Sequence, residues 1–217
     1  MAVRIEVVFD VVCPWCYVGK RRLELALGRL RTPHGTPEVS VSWLPFQLNP
    51  GLPDAGMERA EYLRQKFGEA AAQVYGRVQA AGRSVGIDFA FASIARQPNT
   101  LAAHQLVAAA ARGACQDAMV EALFSAYFIE GADLTQRATL IALAGRAGMN
   151  AARAGACLDD PAEREAVERS DREARALGVA GVPFFVFDRR LAVSGAQEPE
   201  LLLQAVQRAA EGSAGAA

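Results

Sequence analysis

Ile5-Glu6-Val7-Val8-Phe9-Asp10-Val11-Val12-Cys13-Pro14-Trp15-Cys16-Tyr17-Val18-Gly19-Lys20-Arg21-Arg22-Leu23 joins an apolar, β-branched run to a dithiol and then to a helical pattern. The run over 4–12 predicts a central parallel strand buried on both faces, with Val7, Phe9 and Val11 on one and Val8 and Val12 on the other. From Pro14 to Leu30 a helix places Leu23, Leu27 and Leu30 on one side, and proline suits a first turn whose N–H has no partner. Thiols at such a junction meet within one turn, close enough for an S–S bond. Cys13 lies beside the unpaired N–H groups of the helix, which favour a thiolate, the attacking species in disulfide exchange. Cys13 therefore reads as the exposed nucleophile and Cys16, one turn inside, as the shielded resolving thiol. Pro14 stiffens the loop and Trp15 offers an apolar face beside the sulfur. A zinc half-site would need further ligands, and no second CxxC or His-x3-His is present.

Outward from this stretch, Val39 to Phe46 alternates as a second strand and completes a βαβ unit. After the Pro- and Gly-rich segment 49–56 the character changes. From Glu58 to Leu177 the periodicity is helical with no convincing strand: Leu63, Phe67, Ala71, Val74 and Val78 share a face, and a loop over 83–99 is anchored by Phe89 and Phe91. Further helices run from Leu101 to Arg112, through Met119 to Gly131, from a cap at Asp133 to Gly148, and over Asn150 to Leu158. Asp160-Pro161-Ala162-Glu163 supplies a cap, a first-turn proline and a capping-box carboxylate for a helix ending at Leu177. Strands resume at 183–188 and 190–194, followed by a helix from Pro199 to Ala210 and a tail from Gly212. The reading is one discontinuous domain, 1–55 with 166–217, interrupted by an inserted helical domain over 56–165.

The chain has 217 residues, 52% hydrophobic and 22% charged, with a formal charge of −1. That balance gives no basic surface for nucleic acid. No run approaches the roughly 18 apolar residues of a membrane span. The start Met-Ala-Val-Arg-Ile-Glu shows no secretory signal, so a cytoplasmic location is expected. Thiols are mostly kept reduced there, which points a CxxC to catalysis or metal binding rather than to a structural staple.

Phe9 to Leu23 resembles the opening of a DsbA-like protein of the FrnE type, within the thioredoxin superfamily. Gly178-Val179-Ala180-Gly181-Val182-Pro183-Phe184-Phe185-Val186 resembles that family's cis-proline loop and following strand. The resemblance spans residue 4 to about residue 208. It implies an α/β thioredoxin fold with a helical domain inserted after the first βαβ unit. It further implies a thiol–disulfide oxidoreductase whose catalytic pair is Cys13 and Cys16, working through a mixed disulfide without a cofactor. Pro14, Trp15, Val182 and Pro183 would contact substrate, the Val182 backbone pairing with an extended peptide. Gln97 to His104 resembles the family's wall facing the site, which adds Asn99 and His104. The expected partner is a protein or small molecule bearing a thiol or disulfide, taken by a monomer or homodimer. The 2-hydroxychromene-2-carboxylate isomerases and kappa-class glutathione transferases are related. They use glutathione and carry serine where this chain has cysteine. A glutathione-dependent isomerase or transferase is thus one alternative, and a non-enzymatic binding protein in a biosynthetic pathway another.

Asp10 and Glu6 are acids in an apolar strand. Asp10, nearer the dithiol, is the candidate for proton transfer, against a side chain that merely reaches solvent. Asn99 or Thr100 also reads as a helix cap and His104 as a satisfied histidine on a helix face. His34 reads as solvated, Cys115 and Cys157 as free buried thiols. Lys20-Arg21-Arg22 and Arg189-Arg190 read as solvated faces, the former adding positive potential near Cys13. No metal site is expected.

Overall fold

The computed structural model describes residues 2–31 and 37–214; His34 and its loop lie outside them. β1 (Ala2–Phe9) leads into α1 (Pro14–Gly28), and β2 (Glu38–Pro45) follows. Then come β3 (Met57–Glu58), α2 (Arg59–Phe67), α3 (Ala71–Ser84), β4 (Arg96–Gln97), α4 (Leu101–Ala111) and α5 (Gln116–Phe128). α6 (Arg137–Arg146), α7 (Ala151–Asp159) and α8 (Pro161–Ala176) continue the helical segment. The chain returns through β5 (Phe184–Phe187), β6 (Leu191–Ser194) and α9 (Pro199–Ala214).

The main sheet is four-stranded in the order β2-β1-β5-β6. β1 is central: it runs parallel to β2 and antiparallel to β5, with Val7 opposite Trp43 and Phe185. Alternation decides its burial. Val3, Ile5, Val7 and Phe9 enter the main core, whereas Val8 packs on the other face with Phe46, Ala174 and Val179. Leu23 of α1, Phe124 of α5 and Leu202 and Val206 of α9 belong to the same main core. This is the thioredoxin-type arrangement, with helices entering after the first βαβ unit.

Several local expectations change. β1 stops at Phe9 rather than at residue 12, because the Cys13 N–H donates to the Asp10 carbonyl and closes a turn. Val11 and Val12 are buried without being strand, in the turn that leads into the dithiol. β3 and β4 pair antiparallel where no strand is expected, β3 at the start of the helical segment and β4 inside the loop over 83–99; two residues are too few to leave an alternation. Asp133 does not cap α6, which begins after Gln136; its carboxylate accepts from the Thr135 N–H one turn earlier. Asp160 does cap α8, but Glu163 turns away from a capping box to pair with Arg112. α9 continues past Ala210 to Ala214.

Candidate active site

Cys13 is the N-cap of α1, and the Cys16 N–H donates to its carbonyl at 3.0 Å, so the loop is wound tightly onto the helix. Both sulfurs are free thiols. Cys13 is 5% exposed and Cys16 1%, so Cys13 is less open than its position at the junction implies. Its cover is the loop before β5: the Cys13 Sγ donates to the Val182 carbonyl at 3.5 Å. The Val182–Pro183 bond is cis. Pro183 lies against α1 at Gly19, where an added Cβ would stand 3.0 Å from Pro183 Cγ and 3.2 Å from Phe185 Cζ. Gly19 was not singled out in the sequence, although a glycine in mid-helix signals such close approach.

Asp10 is fully buried beneath the dithiol. Its Oδ2 accepts from the Leu48 N–H at 2.7 Å, and its Oδ1 lies 3.3 Å from His104 Nε2. His104 is buried, with Phe9 edge-on at 5.2 Å, and its Nδ1 has no partner among the described residues. Burial above all, then the neighbouring Cys13 sulfur, pushes the Cys16 thiol well above its ordinary range; the Asp10 backbone N–H works against them and the Asp10 charge with them. Asn99 does not reach this group. Its Oδ1 accepts from Leu101 N–H and Gln47 Nε2, and the residue borders a separate cavity of about 200 Å³ beside Leu134 and Leu140.

Cys13, Pro14, Trp15 and Val182 open onto a cleft of about 260 Å³. Trp15 is the half-exposed rim, at 36%. The far wall comes from α2 and α3: Arg59, Tyr62, Lys66 and Tyr75. None of these stood out in the sequence, because only the apolar stripe of that segment was periodic enough to read. Burial raises the Tyr75 phenol, and Arg59 opposes the rise.

The run Lys20-Arg21-Arg22 is not a solvated face. Lys20 is 3% exposed and paired with Glu24, Asp117 and Glu121, and Arg22 pairs with Glu198. These carboxylates neutralise the positive potential expected near Cys13. Arg189 is exposed and paired with Glu6, as a surface reading implies. Cys157 is buried, its Sγ donating to the Gln105 carbonyl, and burial pushes its thiol up to about 11. Cys115 is only half-buried.

Comparison with known proteins gives a consistent picture. The model of the DsbA-like thioredoxin domain matches residues 4–207. A structure from Streptomyces coelicolor described as a probable DsbA oxidoreductase is 34% identical, with a TM-score of 0.85 over 95% of this chain and 89% of that one. A 2-hydroxychromene-2-carboxylate isomerase is 18% identical, with a TM-score of 0.72 over 99% of each chain. The cytosolic disulfide reductase DsbM from Pseudomonas aeruginosa, solved with GSH, is 20% identical, with a TM-score of 0.62 over 94% of this chain and 98% of that one. The last two show likeness of fold.

Proposed function

The chain belongs to the family of DsbA-like thioredoxin domains, which are thiol oxidoreductases, and on that premise we propose that it exchanges thiols and disulfides through Cys13 and Cys16 in the FrnE manner. The observation that carries this reading is the asymmetry of the two sulfurs: Cys13 opens on the cleft at the start of α1, whereas Cys16 is sealed beneath it.

In the reducing direction the Cys13 thiolate attacks one sulfur of a substrate disulfide. The S–S bond breaks, the departing thiolate takes a proton, and a mixed disulfide remains on Cys13. Cys16 then loses its proton and attacks the Cys13 sulfur, forming Cys13–Cys16 and releasing the second thiol. The electrons stay on sulfur throughout, so no cofactor takes part. Asp10 is the proton acceptor for Cys16, held in place by Leu48 N–H and by His104, whose role is to position it. Pro14, Trp15, Val182 and Pro183 shape the substrate's approach to Cys13. Residues 1–55 and 166–217 carry the chemistry, and the inserted 56–165 supplies the far wall. Among the described residues no helix is long and apolar enough to cross a membrane. A cytoplasmic location belongs to the same proposal, supported by the cytosolic neighbour.

The test is trapping. Cys16→Ser is expected to accumulate a covalent adduct with a model disulfide, read by mass spectrometry, and Cys13→Ser to form little. Equal trapping by both would overturn the assignment. The glutathione-dependent alternative rests on the fold shared with the isomerase. It predicts isomerase or transferase turnover that survives Cys16→Ser, with no disulfide exchange in the parent protein.

A further inference from the structure

Resting on that reading, we propose that the cleft selects small disulfides carrying a carboxylate, and that Arg59 and Lys66 recognise that group. Arg59 is 5% exposed. Its guanidinium donates to Gln97 Oε1, to the Tyr75 hydroxyl and, at 3.4 Å, to the Tyr127 hydroxyl. Its carbon lies 5.4 Å from the Tyr62 ring centre and 5.3 Å from that of Tyr75. Every one of these partners is neutral. Among the described residues no carboxylate comes within ion-pair distance of Arg59, whereas the buried cation Lys20 has three and Arg22 has one. A buried charge without a counter-charge is costly, and a guanidinium held on its donors presents a fork that fits a carboxylate.

Lys66 reinforces the arrangement from the rim. Its Nζ donates to the Tyr62 hydroxyl at 2.7 Å and lies 5.2 Å from the Tyr62 ring centre, and it too has no acid partner among the described residues. Both cations line the cleft that holds Cys13, and among the described residues no Asp or Glu lines it. The cleft's volume of about 260 Å³ lies near the lower end of small-molecule sites, which start at roughly 300 Å³. The ligand is thus a compact disulfide whose carboxylate reaches the α2 wall while one of its sulfurs meets Cys13. The missing counter-charge arrives with the substrate, and attack proceeds as written above.

The experiment uses reduced Cys16→Ser protein and two matched probes, 3,3′-dithiodipropionate and its dimethyl ester. Rates of adduct formation at Cys13 are each divided by the rate of the same probe with a free model thiol. The normalised acid-to-ester ratio is expected to be about 10 or more, the scale of one charge-assisted hydrogen bond. It should fall about threefold in Lys66→Gln and approach one in Arg59→Gln. A purely structural role would slow both probes together and leave the ratio alone. A ratio near one without either substitution, or a ratio unmoved by Lys66→Gln and by Arg59→Gln, overturns the inference. If circular dichroism shows Arg59→Gln unfolded, Lys66→Gln alone decides. Adduct formation at Cys13 with no charge preference sinks this inference only; no adduct with either probe sinks the proposed function as well.

Discussion

Asp10 touches the backbone of the loop after β2 and a side chain of α4, so replacing it tests position against chemistry. Asn keeps an oxygen for the Leu48 N–H but cannot take a proton from Cys16. In Asp10→Asn the resolving step should slow about 100-fold at pH 7, the lower range of general-base effects, while the first attack at Cys13 stays within about threefold. Stopped-flow measurement of mixed-disulfide formation and release separates the steps; equal slowing of both would show a structural role only. A second residue-level expectation concerns alkaline stability. Burial, with Glu121 beside it, pushes the Tyr17 phenol from 10.0 up to about 12. The unfolded chain therefore releases this proton first, and the stability Tyr17 contributes is full below pH 10 and is lost between about 10 and 12. The loss can reach about 1.4 kcal/mol per pH unit for each such group. Urea midpoints should fall over that window, and less steeply in Tyr17→Phe. The dithiol and the acid beside it were legible because they lie in one short stretch. Arg59 and Lys66 were not, since their meaning depends on α2 folding back across the cleft and on the absence of an acid partner, neither of which a local pattern carries.

Among the elements, α1 is tied from three sides. Lys20 and Arg21 bind the Glu121 carboxylate of α5, Arg22 donates to the Ala196 carbonyl before α9, and Pro183 rests on Gly19. Gly19→Val would drive branched carbons into Pro183 and Phe185, where even a lone added Cβ would stand 3.0 Å from the proline ring. Overpacking of this kind costs about 1–3 kcal/mol. The substitution should lower the urea midpoint and raise iodoacetamide labelling of Cys13, as the loop carrying Val182 lifts from its sulfur. Unchanged labelling would show that this loop does not shield the thiol. The strands and helices themselves were readable because hydrophobic period survives in each. What escaped were features below that period: the turn that ends β1 at Phe9, and the two-residue pairing of β3 with β4. The burial of Lys20 escaped for another reason, since its carboxylate partners on α5 lie about a hundred residues away.

The molecule as a whole should unfold as one unit although its sheet is interrupted in sequence. Phe124 of α5 is fully buried between Phe9 of the central strand, at 5.8 Å, and Tyr17 of α1, stacked at 4.9 Å. Phe124→Ala should remove about 3–5 kcal/mol from a single transition. Two separated transitions, by circular dichroism in urea, would show that the helical segment and the sheet do not share a core. The two tryptophans report on this architecture optically. Trp43 is sealed in that core with its indole N–H on Asp117, whereas Trp15 stands at the mouth of the cleft between the two cysteines. With Trp43 replaced by Phe, emission comes from one indole beside the sulfurs, so its quenching should follow the dithiol–disulfide conversion and serve as a label-free titration of the redox couple.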